Sequence, residues 1–343
     1  MVKRDTLLDV LKGIGITLVV LGHILHNYIG SLIYLFHIPL FFFLSGVGLS
    51  YSSKHNVVGV EGYFRSLMVP YFAFSLISFL YWVFIEYRFR PSDIPPLFMG
   101  IVGTWDVKIQ EFINIFTAYS AEKAFEYNIV LWFLPCLFCT LVLYKAIKCY
   151  IPQYVSKIVL FVTIIGFAYQ THIPLLLWCA DLSLVALSFV WLGDVAYRKI
   201  KDVHPIVLGG ALILSIYIIL SYNPSVDMRL HRFSEWWQFY IVAITMIVLI
   251  VRVAPFFMAY EYGIFQWIGK NSLIVMCMHE PIKRIVLKMV SILWGCDIAI
   301  IRSSFWLSFG VTLLVITIIF PFAEAINQYA PMLIGRKRAQ IKQ

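Results

Sequence analysis

Two ionisable residues, Lys12 and His23, interrupt the first long apolar stretch of the sequence. In a helix, their spacing amounts to three turns plus roughly 20°, so both side chains lie on one face, about 16 Å apart along the axis. Ile16, Val19 and His26 share that face. Ionisable groups inside a membrane are costly, so this face is expected to line a cavity or pathway. A neutral histidine at such a depth can act as a general base or accept an acyl group.

Two further histidines, His37 and His279, are predicted to lie at a similar depth. Counted from the cytoplasmic boundary at about 1.5 Å per residue, His23 is about 18 Å deep, His37 about 22 Å and His279 about 12 Å. The three can therefore share a slab about 10 Å thick. Such a layer of titratable side chains is a candidate site, and catalytic roles are predicted for His23, His37 and His279.

Each of these residues also has a structural interpretation. His23 fits a histidine that is hydrogen-bonded across helices, and Lys12 fits a side chain that reaches the cytoplasmic surface and pairs with the acidic residue three positions earlier. His37 lies in an aromatic run and suits packing or gating as well as catalysis. His279 and Glu280 are adjacent, so they point to different faces of a helix and form no dyad by themselves.

The composition places these residues in a membrane protein. Apolar residues make up 61% of the chain, charged residues 13%, and the mean hydropathy is +0.86. Soluble domains run at about 45–50% apolar and about 25% charged. The net charge of +9 is distributed as positive cytoplasmic loops rather than as a nucleic-acid surface. These values predict an all-α, polytopic membrane bundle.

Hydropathy predicts ten membrane-spanning helices in a single transmembrane domain covering residues 1–343. Their predicted bounds are 9–29, 32–50, 67–87, 129–149, 157–170, 174–197, 205–221, 236–253, 271–292 and 303–326. A turn at Gly30-Ser31 is expected to join the first two helices, and Pro70 to lie in the first turn of the third. The ninth is expected to break near Pro281, or else to run over 263–280 with a basic amphipathic continuation.

The remaining polar features refine this topology. Residues 88–128 form the longest polar segment, with a short interfacial helix expected near 108–118. Lys and Arg are more frequent in the segments placed inside, which predicts that both termini are cytoplasmic. Cys136 and Cys139 are expected to pack in an apolar helix rather than to carry redox or metal chemistry. Asp181 and Asp194 have no role in this scheme, and each is open to pairing with a basic side chain of the bundle.

Several motifs match one known family of membrane enzymes. The motifs are a basic residue, ten residues and a histidine at Lys12 and His23, FHIPLFFFLSG over 36–46, WFL over 132–134, and GKNSL over 269–273 followed by His279. The chain thereby resembles the acyltransferase-3 family, and within it the branch of fucose 4-O-acetylases and related polysaccharide acetyltransferases. The family more often has arginine at position 12, where lysine lacks the planar two-pronged donor geometry. Of the family's basic pair before the third helix, Arg65 alone is present.

The resemblance implies acyl transfer across the bacterial cytoplasmic (inner) membrane. The expected donor is cytoplasmic acetyl-coenzyme A, and the expected acceptor is a hydroxyl of an extracytoplasmic or lipid-linked glycan. Lys12, Arg65 and Trp132 are the expected donor-binding residues, since a polyanionic donor needs cations at the inner surface. The other expected partner is membrane lipid. No permanently bound cofactor, no metal site and no nucleic acid are expected.

Two other functions fit the same features. A transporter or flippase for a glycan or small metabolite would use the buried polar layer as a permeation path. An acyltransferase with a succinyl donor, or with an amine or lipid acceptor, would use the same residues. Proton- or ion-coupled movement without acyl-coenzyme A turnover would favour the transporter.

Overall fold

A computed structural model describes residues 6–51, 59–86, 97–98, 101–102, 107–119, 124–169, 176–200, 202–258 and 263–336. These residues are almost entirely helical, and the predicted all-α class is confirmed. The helices are α1 (Thr6–Ile24), α2 (Tyr28–Tyr34), α3 (His37–Tyr51), α4 (Val60–Tyr63), α5 (Val69–Phe84), α6 (Val107–Thr117), α7 (Phe133–Tyr150), α8 (Val155–Tyr169), α9 (Ala180–Ile200), α10 (Pro205–Tyr222), α11 (Trp236–Val253), α12 (Ile264–Lys270), α13 (Ser272–Trp294), α14 (Ile298–Ser303) and α15 (Phe305–Tyr329). Two-residue strands, β1 (Leu97–Phe98) and β2 (Ile101–Val102), pair antiparallel.

Eight helical segments of the described chain are long and apolar enough to cross a membrane. They are Thr6–Ile24, Tyr28–Tyr51, Val60–Phe84, Phe133–Tyr150, Leu177–Ile200, Pro205–Tyr222, Trp236–Met258 and Phe305–Tyr329. The other two predicted spans correspond to α8, which is shorter, and to α13, which carries several charged residues. The chain is therefore an integral, polytopic helical membrane protein. A helix is present near 108–118, as predicted, in the form of α6.

The turn between the first two spans lies earlier than expected. α1 ends at Ile24 and α2 begins at Tyr28, so the prediction of a turn at Gly30-Ser31 is wrong. Asn27 caps α2, because its side-chain oxygen accepts a hydrogen bond from the Gly30 amide at 3.2 Å. Gly30 lies inside the helix, where a Cβ atom would stand 2.1 Å from the Leu25 carbonyl oxygen. Glycine at this position allows two backbone segments to approach closely, and it does not form a turn.

The third span also begins earlier than predicted. It starts at Val60 and contains a π-helical turn, Phe64–Met68, immediately before α5. Pro70 lies in the first turn of α5, as predicted, and α5 continues directly from the π-helical turn. Pro70 has no backbone N–H to donate to the carbonyl oxygen of Ser66, four residues earlier. A π-helical turn accommodates this missing hydrogen bond without ending the helix.

The ninth span passes through Pro281 without a break. α13 runs continuously from Ser272 to Trp294, so its bounds agree with the predicted 271–292 and the expected break is wrong. Proline at position 281 leaves the carbonyl four residues earlier, that of Cys277, without its helical donor. The buried Asn128 side chain supplies that donor, with Nδ2 at 2.8 Å from the Cys277 oxygen. A side chain from outside the helix thus replaces the missing hydrogen bond.

α1 is the central helix of the site, with α2, α3, α12, α13 and α15 against it. Its crossing with α12 brings the two backbones into contact, since a Cβ atom on Gly13 would stand 1.9 Å from the Phe265 oxygen. The end of α1 is beside the start of α15, because Arg302 donates to the Ile24 carbonyl at 3.2 Å. The two helices therefore run in opposite directions, and the described ends of the chain lie at the same end of the bundle.

Candidate functional site

Three histidines from three helices meet in the core. The ring centroids of His23 and His279 are 5.5 Å apart, and those of His23 and His37 are 6.3 Å apart. α1, α3 and α13 supply one ring each. The structure thus brings together the three histidines that depth counting had placed in one slab.

Two of the rings are anchored to backbone carbonyl groups: that of His37 to the end of α2, and that of His279 to its own helix, α13. His37 Nδ1 lies 2.8 Å from the Ile33 oxygen, and His279 Nδ1 lies 3.0 Å from the Val275 oxygen. A carbonyl oxygen only accepts, so in both residues Nδ1 carries the proton and Nε2 of the neutral ring is an acceptor. Nε2 of His279 is buried and has no hydrogen-bond partner among the described residues.

His23 differs from the other two in its exposure and its partner. His37 and His279 are 3% and 0% exposed, whereas His23 keeps part of its surface accessible. Its Nδ1 lies 3.1 Å from the hydroxyl of Tyr34, at the end of α2. No pattern in the sequence marks this tyrosine, which lies among other aromatic and apolar residues of the second span.

The accessible side of His23 faces a small, apolar cavity. Its volume is about 20 Å³, enough for about one water molecule. Ile16, Val19 and His23 form one wall, so the cavity follows the α1 face on which Lys12 lies further along. Trp132 and Met276 are among the residues opposite. The expectation that this face lines a cavity is therefore met in the stretch from Ile16 to His23.

A buried group of charged residues lies next to the histidines on α13. Glu280 bonds to Lys283 at 2.6 Å and to Arg284 at 3.1 Å, and Arg284 also bonds to Glu86 at 2.8 Å. Lys283 additionally donates to the carbonyl oxygen of His23 at 3.2 Å. Lys283 is buried in the bundle, and Arg284 is partly buried. Lys283 and Arg284 follow Glu280 by three and four positions, and this helical spacing is the sequence pattern that indicates these ion pairs.

Arg302 closes the end of α1 on the same side. It donates to the carbonyl oxygens of His23 and Ile24, at 3.3 and 3.2 Å, and also bonds to Nε2 of His26. Partial burial, and then the Arg302 guanidinium, lower the pKa of His26 to about 4. The His26 ring is thus neutral near pH 7 and accepts the hydrogen bond. Cations here satisfy carbonyl groups that a helix end leaves without donors.

The predicted donor-binding residues occupy different places. Trp132 is 6% exposed and lines the cavity beside His23. Lys12 is partly buried on the His23 face of α1, three turns away. Arg65 is exposed in the π-helical turn, and its backbone oxygen meets Gly335, which follows α15. Because His23 is near the start of α15, Arg65 lies toward the opposite end of the bundle.

Asp181 and Asp194, to which the sequence analysis assigned no role, each pair with a basic side chain. Asp194 bonds to Lys148 at 2.6 Å, and its oxygen also accepts from the Tyr144 hydroxyl at 2.7 Å. Asp181 lies 3.1 Å from Nε2 of His231. Both are structural links between helices or loops outside the histidine cluster. The described residues contain no group of three or more His, Cys, Asp or Glu side chains placed to hold a metal ion.

The comparisons with known proteins identify the family. A sequence-family profile described as an acyltransferase domain, that of the acyltransferase-3 family, matches residues 5–324. Searches of curated proteins and of solved structures found no match to the chain. The matched region includes all three histidines and nearly all of the bundle around them. The chain therefore belongs to the acyltransferase-3 family and is a membrane acyltransferase.

Proposed function

We propose that this acyltransferase moves an acetyl group from cytoplasmic acetyl-coenzyme A to a hydroxyl of an extracytoplasmic or lipid-linked glycan. The observation that carries the proposal is the position of His23, the accessible ring of a buried three-histidine cluster. It faces a cavity that follows the Lys12 face of α1. Such a protein belongs in a bacterial cytoplasmic membrane, where the donor is on one side and the glycan on the other.

The cavity suits the acyl end of the donor. Its walls, which include Ile16, Val19 and Phe41, are apolar and exclude water from a bound thioester. At about 20 Å³ the cavity is smaller than an acetyl thioester, so aromatic walls such as Trp132 must move to admit it. The polyanionic end of coenzyme A remains at the inner surface, where Lys12 and Arg65 supply positive charge. Trp132 contributes at the acyl end rather than at the phosphates.

Two forms of the reaction use the same nitrogen of His23. In direct transfer, Nε2 takes the proton from the acceptor hydroxyl while its oxygen attacks the thioester carbonyl. A C–O bond forms, the C–S bond breaks, and the proton passes to the coenzyme A thiolate. In the covalent form, Nε2 first attacks the thioester carbonyl, the C–S bond breaks, and the coenzyme A thiolate leaves with the proton of Nδ1, which gives an acyl-imidazole. The acceptor hydroxyl then attacks the acyl carbon, the C–N bond breaks, and the hydroxyl proton returns to the imidazole. Both need Nε2 unprotonated at the start.

The test is His23→Ala in purified protein, supplied with labelled acetyl-coenzyme A and candidate glycans. Loss of a general base typically costs about 10²–10⁴-fold in turnover, and loss of a covalent carrier costs more. Donor binding and expression are expected to remain. His204→Ala is a matched control, because His204 is an exposed cap of α10 outside the cluster. A His23→Ala protein with more than roughly a tenth of the wild-type turnover would move the role to His37 or His279.

The same preparation separates the two forms of the reaction. Wild-type protein is incubated with labelled acetyl-coenzyme A in the absence of acceptor and then denatured. Label retained on the peptide that contains His23 would establish the acyl-imidazole, and its absence together with normal turnover would establish direct transfer. Turnover with succinyl-coenzyme A in place of acetyl-coenzyme A would change the proposed donor. Transfer to an amine in place of a hydroxyl would change the proposed acceptor.

A further inference from the structure

We infer that Tyr34 is a positioning residue for His23, with its hydroxyl oxygen accepting the Nδ1–H of the ring so that Nε2 is the reacting nitrogen. The inference rests on the proposed acyl transfer. Its basis is the 3.1 Å contact between the Tyr34 oxygen and His23 Nδ1, with the two rings edge to face at 5.6 Å. The hydrogen bond of one imidazole nitrogen determines which nitrogen is free to react.

The partner of Nδ1 distinguishes His23 from the other two rings. In His37 and His279 a backbone carbonyl holds the proton on Nδ1 permanently. A tyrosine hydroxyl can donate or accept, so the His23 ring can exist in either neutral form and as the cation without losing this hydrogen bond. A residue that takes up and releases a proton in each cycle needs such a partner. Among the three rings, His23 has one.

The fold places Tyr34 for this contact. Tyr34 ends α2 and stands three positions before His37, so both side chains point to the same side, toward His23. The Tyr34 and His37 rings are edge to face at 4.9 Å, which limits rotation of the tyrosine. The hydroxyl is thereby held between two histidines at the end of a capped helix.

The charged groups near His23 hold its backbone rather than its ring. Lys283 and Arg302 both donate to the His23 carbonyl oxygen. Glu280 is hydrogen-bonded to Lys283 and to Arg284. The neighbouring rings of His37 and His279 are bonded to backbone carbonyl groups. The Tyr34 hydroxyl is therefore the group that orients the imidazole ring of His23.

Tyr34→Phe tests the inference, because it removes the hydroxyl and keeps the ring. Loss of the partner that orients a reactive histidine typically lowers activity about 10–100-fold. The loss should appear in kcat, with the KM for donor and the affinity for donor unchanged, since the binding surfaces are intact. Tyr28→Phe is the matched control: it removes a hydroxyl from the same helix at an exposed position and should leave kcat at the wild-type value.

A Tyr34→Phe protein that folds and keeps the wild-type kcat would overturn the inference, as would an equal loss in Tyr28→Phe. If Tyr34→Phe does not fold, fluorinated tyrosines are incorporated at position 34, where they keep the shape and make the hydroxyl oxygen a weaker acceptor. kcat should then fall with each added fluorine, and a constant kcat would overturn the inference. His23→Ala in the same assay separates the two proposals: if it is inactive while Tyr34→Phe is normal, the proposed function stands and this inference fails.

Discussion

At the residue scale, the site is held by contacts of two kinds. The backbone at His23 is bound by the cations of Lys283 and Arg302, and its ring is bound by a neutral hydroxyl. Lys283 is itself paired with Glu280, which is 3% exposed. A buried charge is stable only while its partner is present, so the stability of the histidine site depends on this carboxylate.

Glu280→Gln is expected to destabilise the protein strongly. It leaves Lys283 buried beside a neutral side chain, and removal of one partner of a buried ion pair typically costs about 3–5 kcal/mol. The measurement is the unfolding midpoint of purified protein in detergent, compared with wild type. Glu235→Gln, at an exposed position before α11, should leave the midpoint unchanged.

The double variant Glu280→Gln with Lys283→Met identifies the cause. It removes both charges, and replacing a buried pair with neutral residues of similar size is often neutral for stability. The double variant should therefore unfold at a higher temperature than Glu280→Gln alone. A double variant that is less stable than the single one would mean that Lys283 stabilises the bundle mainly through the His23 carbonyl.

At the element scale, the crossing of α1 and α12 sets the position of the His23 helix. Gly269 lies against the backbone of α1, where a Cβ atom would stand 1.7 Å from the Asp9 oxygen. Gly13 makes the reciprocal contact from α1. Small residues at both positions let the two backbones touch, as is typical of helix packing in membranes. The GKNSL motif thus contains a residue whose role is packing.

Gly269→Ala is expected to separate α1 from α12 and to lower the unfolding midpoint. Forced overpacking typically costs about 1–3 kcal/mol, and here the obstacle is backbone, which cannot rotate away. Gly210→Ala is the matched control, because Gly210 lies on α10 with no atom near the position of an added Cβ. That variant should be as stable as wild type or more stable. Equal midpoints for the two variants would contradict a tight crossing.

At the scale of the whole molecule, the bundle has two distinct ends. α9 joins them: Asp181 near its start pairs with His231 in the loop before α11, and Asp194 near its end pairs with Lys148 near the end of α7. The two aspartates are about 20 Å apart along the helix. The positive-inside rule predicts that the Lys148 end is cytoplasmic and the His231 end is outside.

Cysteine labelling tests this orientation. Cys149 is exposed at the end of α7, and Glu235→Cys introduces a thiol in the exposed loop before α11. In variants that keep one of these thiols each, a membrane-impermeant maleimide added to intact cells should label position 235. It should label Cys149 only after the membrane is permeabilised. Labelling of Cys149 from outside would reverse the orientation and remove the basis for a cytoplasmic donor.

Several features of this protein follow from the sequence alone. Hydropathy sets the class, because some eighteen consecutive apolar residues have few stable settings other than a membrane. The eighth span was predicted at 236–253, and α11 has those bounds, since its apolar run is uninterrupted, polar residues precede it and Pro255 follows it. Depth counting related His23, His37 and His279, because helical rise is constant along each span.

The tertiary structure decided what depends on contacts between distant segments. α13 continues past Pro281 because the side chain of Asn128, 153 positions away in the chain, donates to the carbonyl group that proline leaves without a partner. No local sequence pattern predicts a donor from so distant a residue. Likewise, the local sequence around Gly30 predicts a turn, whereas in the bundle Gly30 is a helical residue in close contact with the Leu25 backbone. Tyr34 and Lys283 belong to the site because α2 and the middle of α13 pack against the end of α1 at His23. Local residue types determine which helices form, whereas the neighbours of a buried polar group are set by how those helices pack.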